Sequence, residues 1–242
     1  MKLAAVQYRP PKGQVSLARA ALVDRVDEAG RAGARFIVCP EMATSGYVWE
    51  SPEEILPHAE PAAGPTAAAL GEVARRHEAW VICGFPELAP DGLYNAALVI
   101  APSGELLCCY RKILLYEADM PWSRAGWRRM SIRAPFGVFS PAICMDLNDP
   151  RLTWFLQRSA PDLVAFCTNW VDSGEDMLPY WRERLGSWRG WFVAADTWGE
   201  DRGVLFYGRS AILAPGGAVL AMGPAEGDDI LYAEAKLPGD GG

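Results

Sequence analysis

Three side chains capable of chemistry stand where apolar runs stop. Glu41 follows Pro40 at the end of RFIVCP, Lys112 closes GELLCCYRK, and Cys144 ends VFSPAIC just before the chain turns polar in CMDLNDP. A thiol, a carboxylate and an ammonium have a defined joint use. The carboxylate takes the thiol proton, the sulfur attacks a carbonyl carbon, and the cation holds the oxygen that becomes negative. Amide cleavage requires these three functions. Each residue also has an ordinary reading: a cysteine in a strand run usually fills space, and a loop carboxylate or strand-end lysine usually only meets water. Their shared position at strand ends is what joins them. The two histidines, His58 in LPHAEP and His77 in ARRHEAW, lie in settings that suggest loop or solvent. No oriented imidazole is therefore indicated, and a working cysteine here needs a carboxylate as its base.

The elements that would position these residues follow from apolar patterning. Runs rich in branched and aromatic residues read as strands at KLAAVQY, RFIVCP, WVICGFPEL, YNAALVIAP, GELLCCYRK, VFSPAICMD, DLVAFCTNW, WFVAADTW, GRSAILAP and ILYAEAKL. Between the first two, Val15, Ala18, Leu22, Val26 and Ala29 recur at steps of three and four and predict a crossover helix. GPTAAALGEVARRHEA predicts a second helix, opened by Pro65, while the turns PDG and PSG leave room only for hairpins between the next strands. RLTWFLQRSA and LPYWRERLGSWRG restore the alternation of helix and strand. The expected fold is a layered α/β domain with two mixed sheets face to face and helices outside. Reactive groups in such folds gather at the carboxyl ends of strands.

Composition narrows the partners. The chain has 242 residues, half of them apolar, and a net charge of −7. That charge argues against a surface built for the nucleic-acid backbone and in favour of small molecules or peptides. Residues 1–242 show no linker, repeat or composition break, so a single domain is expected. No leader-like start and no apolar stretch long enough for a bilayer are visible, which suggests a soluble cytoplasmic protein. Cys39, Cys83, Cys108, Cys109, Cys144 and Cys167 mostly lie inside apolar runs, the usage of a reducing compartment, and no CxxC or His-x-His pattern points to a metal.

The segments PEMATSGY, YRKILLY and AICMDLNDP, in this order, resemble the three signature segments of the carbon-nitrogen hydrolase, or nitrilase, superfamily. AAVQYRPPKGQV, AEPAAGPT, YNAALVIAPSGELLCCYRK and GRSAILAPGGAVLA are similar to its flanking segments, so the likeness runs along nearly the whole chain. The resemblance implies a four-layer αββα sandwich that often pairs into a homodimer or a higher homo-oligomer, with no metal or organic cofactor. It also implies Cys144 as nucleophile, Glu41 as general base and Lys112 as oxyanion cation, with the backbone N–H of Met145 as a second donor and a thioester intermediate. The ammonium is expected to lower the thiol from its ordinary range. Relatives commonly carry a second active-site glutamate beyond the lysine; LLYEADMPW offers Glu117 and Asp119, and Glu117 is taken as the substrate-positioning carboxylate. Where many relatives have Ala-Asn, this chain has Asp196 in AADTWG.

CMDLN is closest in motif to protein N-terminal amidases, which implies a small amide or a peptide N-terminal amide as substrate. Asn169 and Trp170, after the strand that follows Cys144, are the expected pocket residues, with Trp122, Trp127 and Trp198 nearby. Two other functions fit the same family: an inactive member that only binds, or acyl transfer to an amine instead of water.

Overall fold

The computed structural model describes residues 1–239. The chain opens with β1 (Lys2–Gln7), α1 (Val15–Arg31), β2 (Phe36–Val38), α2 (Pro52–Ile55), α3 (Pro65–His77), β3 (Trp80–Ala89), β4 (Gly92–Ile100) and β5 (Leu106–Arg111). It continues with β6 (Ile132–Ala134), β7 (Gly137–Ile143), a 3₁₀ turn over Cys144–Asn148, α4 (Pro150–Ser159), β8 (Leu163–Cys167), α5 (Met177–Leu185) and β9 (Trp191–Ala195). The last elements are β10 (Trp198–Asp201), β11 (Val204–Tyr207), β12 (Ala211–Leu213), β13 (Val219–Met222) and β14 (Asp229–Glu234).

Two six-stranded sheets result, in the orders β14-β1-β2-β3-β4-β5 and β13-β12-β9-β8-β7-β6, with β10 and β11 as a separate hairpin. β1, β2 and β3 run parallel, as do β7, β8 and β9, so the ends of β2, β7, β8 and β9 meet at one edge of the sandwich. Strand alternation explains the layering. Leu3 and Ala5 of β1 face the second sheet, joining Phe36, Phe139, Ala165 and Val193, while Ala4 and Val6 face outward onto Leu22 and Val26 of α1. On the other side Trp181 of α5 packs edge-on against Phe166 and Phe192. The architecture is the expected αββα sandwich.

Local chemistry sets the helix limits. Ala18, Leu22, Val26 and Ala29 form the buried stripe of α1. α3 opens on Pro65, whose missing N–H costs nothing in a first turn, and α4 opens on Pro150, capped by Asp149 accepting from the Arg151 N–H. The PDG turn joins β3 to β4 as expected, with Gly92 at a φ of +146° that a side chain would resist. Elements without a sequence expectation are α2, the three-residue β6, and the β10–β11 hairpin, whose strands WGED and VLFY carry little apolar alternation. Among the described residues no helix is long and apolar enough to cross a membrane.

Candidate active site

Glu41 leaves β2 through Pro40, and its backbone lies so close to β3 that a Cβ on Gly84 would sit 2.5 Å from the Glu41 Cα and from the Pro40 carbonyl oxygen. Only glycine at this position lets the two strands approach. The Ala43 N–H donates to the Gly84 carbonyl at 2.9 Å and fixes the turn. The Glu41 side chain is fully buried. Its Oε1 accepts from Lys112 Nζ at 2.7 Å and Asn95 Nδ2 at 2.6 Å, and its Oε2 accepts from the Asn169 N–H at 2.9 Å.

Lys112 follows β5, its N–H donating to Asn95 O at 2.8 Å and its carbonyl accepting from the Gly126 N–H at 2.7 Å. Nζ is shared between two carboxylates, Glu41 and Asp119, the latter at 2.5 Å. Asp119 also accepts from Asn95 Nδ2 at 2.9 Å, from the Tyr47 hydroxyl at 3.0 Å and from the Tyr116 N–H at 3.0 Å. Asn95 thus ties both carboxylates together, and its placement in the middle of a strand holds the cluster against the sheet. Burial alone would lower the Lys112 ammonium, but Asp119 and Glu41 outweigh it and hold the group above the usual lysine range. The lysine is permanently charged. Burial, reinforced by Asp119, pushes the Glu41 carboxyl up despite Lys112 and Asn95.

Cys144 sits where β7 turns into the 3₁₀ helix, with a positive φ of 39° that a residue with a side chain adopts only under constraint. In-register pairing of Ile143 with Cys167 and of Cys167 with Ala195 carries Cys144, Thr168 and Asp196 side by side past the ends of three parallel strands. The thiol is buried and does not behave as expected from the ammonium alone. Burial, then the Glu41 charge, push it well above the ordinary cysteine value, and Lys112 and the Thr168 hydroxyl offset only part of this rise. Burial thus favours the thiol over the thiolate at Cys144 and the protonated form at Glu41.

The Carbon-nitrogen hydrolase family model matches residues 2–239. This chain belongs to the carbon-nitrogen hydrolase family. It is 30% identical to a nitrilase of Pyrococcus abyssi over 218 residues, covering 88% of this chain and 80% of that one. It is 27% identical to a protein N-terminal amidase of Schizosaccharomyces pombe, over 91% of this chain and 94% of that one. Among solved structures, a variant of the amidase from Nesterenkonia sp. AN1, with acrylamide added to its active-site cysteine, superposes with a TM-score of 0.85 at 20% identity over 97% of this chain and 93% of that one. An N-terminal amidase with an Asn-Glu-Ala peptide gives 0.85 at 16% identity, over 97% of both chains.

Around the three residues of this hydrolase, the remaining sequence candidates separate. Met145 is the first residue of the turn after Cys144, and its Sδ accepts from Asn148 Nδ2 at 3.0 Å. Asn169 contributes its backbone to Glu41, and its buried Oδ1 has no partner. Trp170 is buried, donates its N–H to Asp196 Oδ1 at 3.0 Å and packs 5.9 Å from the Tyr180 ring. Glu117 does not join the site: it is exposed and, among the described residues, accepts only from the Tyr116 hydroxyl, at 2.9 Å. Asp119 occupies the place expected for it, in the turn that its N–H closes by donating to the Tyr116 carbonyl at 2.9 Å. Trp122 is buried in a satellite cluster with Tyr47 and Phe206, while Trp127 is 84% exposed. Trp198, Arg9, Lys12, Tyr47, Asn169 and Phe206 line a cavity of about 390 Å³ beside the cluster. Neither histidine takes part: the His58 ring stacks on Trp49 and His77 Nε2 lies 2.8 Å from Asp27. Sequence reasoning missed Asn95 and Tyr47; a lone asparagine in the apolar run YNAALVIAP was the available signal.

Proposed function

We propose that this hydrolase cleaves an amide through a thioester on Cys144. The observation that carries the reading is the fully buried Lys112 ammonium, clamped between Glu41 and Asp119 at the strand edge that holds Cys144. A cation held this rigidly is preorganised for a developing oxyanion. Glu41 takes the thiol proton as sulfur attacks the amide carbon, and the carbonyl electron pair moves to oxygen, held by Lys112 Nζ and the Met145 N–H. Glu41 then returns the proton to the leaving nitrogen, the carbon-nitrogen bond breaks, and ammonia or an amine departs. Water, deprotonated by the same carboxylate, attacks the thioester, and the thiolate recovers the proton. Asp119 and Asn95 hold Lys112 and Glu41 in place throughout.

The substrate is a small amide or the side-chain amide of a peptide's first residue. The N-terminal amidase relative and the peptide held by a structural neighbour support that class, as does the cavity running past Asn169 to Lys12 and Asp201. The protein acts in the cytoplasm as a homodimer, needing no cofactor for the steps above. Ammonia release from small amides, N-carbamoyl compounds and Asn- or Gln-initiated peptides tests the reading. Intact-mass spectrometry with a slow substrate should find an acyl group on Cys144. An adduct on Cys39 or Cys167 would overturn the nucleophile.

A further inference from the structure

Asp146 lies two residues past the nucleophile, has no exposed surface, and touches neither Glu41 nor Lys112 through its side chain. Its carboxylate has four donors. Oδ1 accepts from the Ile113 and Leu114 N–H groups, each at 2.9 Å. Oδ2 accepts from the Tyr110 hydroxyl at 2.7 Å and the Ile143 N–H at 3.0 Å. A carboxylate offers about four acceptor directions, so all of its capacity is spent. The identity of the donors matters more than their number. Tyr110, Ile113 and Leu114 bracket Lys112 on the first sheet, and Ile143 directly precedes Cys144 on the second. One side chain therefore grips the chain on both sides of the cation and on the near side of the nucleophile.

We propose that Asp146 is a positioning residue that sets the distance between the Lys112 ammonium and the Cys144 sulfur by tying the end of β5 to the elbow after β7. This rests on the reading of Lys112 and Cys144 given above. Apolar contacts between the sheets are non-directional and allow sliding, whereas four charge-assisted bonds to backbone and phenol do not, and they act beside the single bond from the Asn169 N–H to Glu41. The Tyr110 ring is buried and its hydroxyl bonds to Asp146, so Tyr110→Phe removes one donor and leaves the three backbone donors in place. Asn at position 146 keeps one oxygen and places an N–H against donors, which breaks half of the grip.

A displacement of about 1 Å at a reacting group costs on the order of 10² in rate. Asp146→Asn should therefore lower kcat by about 10²-fold with KM changed less than about threefold, and Tyr110→Phe should lower kcat by a smaller factor in the same direction. The double variant should be no slower than Asp146→Asn alone, because both changes loosen the same tie. The midpoint of Cys144 alkylation by iodoacetamide against pH should move upward in both single variants as the ammonium recedes from the sulfur. Measurements are made below the Tm of each variant. If both variants melt earlier but keep wild-type kcat and the wild-type alkylation profile, Asp146 is a fold-stabilising residue only and the proposal fails. Cys144→Ala separates this from the mechanism itself: turnover surviving in that variant removes the nucleophile assignment whatever Asp146 does.

Discussion

Lys112 has two carboxylates for neighbours and no exposed surface, so its geometry matters more than its sign. Arg keeps the charge but spreads it over a planar fork that cannot occupy the point between Glu41 and Asp119. Lys112→Arg and Lys112→Ala should each lower turnover by about 10²–10³-fold, the usual loss for one oxyanion donor. An Arg variant near wild-type rate, with an unchanged circular dichroism spectrum, would reduce Lys112 to a general positive field. Glu41→Gln should cost about 10²–10⁴-fold, as for other general bases. The raised Glu41 carboxyl must be ionised to accept the thiol proton, so the acid limb of kcat/KM should lie above the ordinary glutamate value of 4.5. A limb at or below that value excludes Glu41 as the base. Asp196 titrates in the opposite sense for stability. Burial, and less so Glu41, raise its carboxyl well above the ordinary 3.8, so the unfolded chain loses this proton first and stability falls as pH rises through that interval. Asp196→Asn retains an oxygen for the Trp170 and Thr197 N–H groups and cannot ionise. Its Tm advantage over wild type should be larger at about pH 8 than at about pH 5, and an advantage that shrinks with pH would mean an ionised Asp196. The catalytic candidates were legible because each ends an apolar run. Asp119 was not separable from Glu117, since a loop has no periodicity to say which carboxylate turns inward.

The strand ends do the positioning, and two backbone features make it possible. One is the positive φ of Cys144, which lifts the residue out of the β7 ladder into the 3₁₀ turn. The other is the close approach of Glu41 to Gly84. Gly84→Ala places a methyl within 2.5 Å of backbone atoms that cannot swing aside. We expect a loss of about 1–3 kcal/mol in chemical denaturation, as for other overpacked sites, and a fall in kcat larger than the fall in Tm would suggest. Unchanged kcat would show that the Glu41 turn can move without consequence. Elements with a clear period, such as α1 and the alternating β1, could be read from sequence alone. The β10–β11 hairpin could not: it is held by Lys12 to Asp201 at 2.7 Å and by the Arg9 guanidinium over the Trp198 ring, partners far apart in sequence. The cavity wall it forms was invisible for the same reason.

At the scale of the whole molecule, the outer helical layer on the second sheet is unfinished. Trp154 of α4 is 61% exposed and Tyr180 of α5 is 37% exposed, an apolar pair of the kind that helix-to-helix pairing of two copies would cover. Light scattering should give a dimer, and Trp154→Glu should shift it to monomer with the fold intact; a wild-type monomer would remove the homodimer from the proposal. The order of strands has a further consequence. β14 crosses from the second half of the chain to pair with β1, from Lys2 opposite Glu234 to Gln7 opposite Asp229. While the chain is being made, β1 therefore keeps a bare hydrogen-bonding edge until Asp229–Glu234 have emerged from the ribosome. An edge of that kind recruits other strands. The arrival of β14 is thus the moment at which this edge of the hydrolase becomes safe from its neighbours.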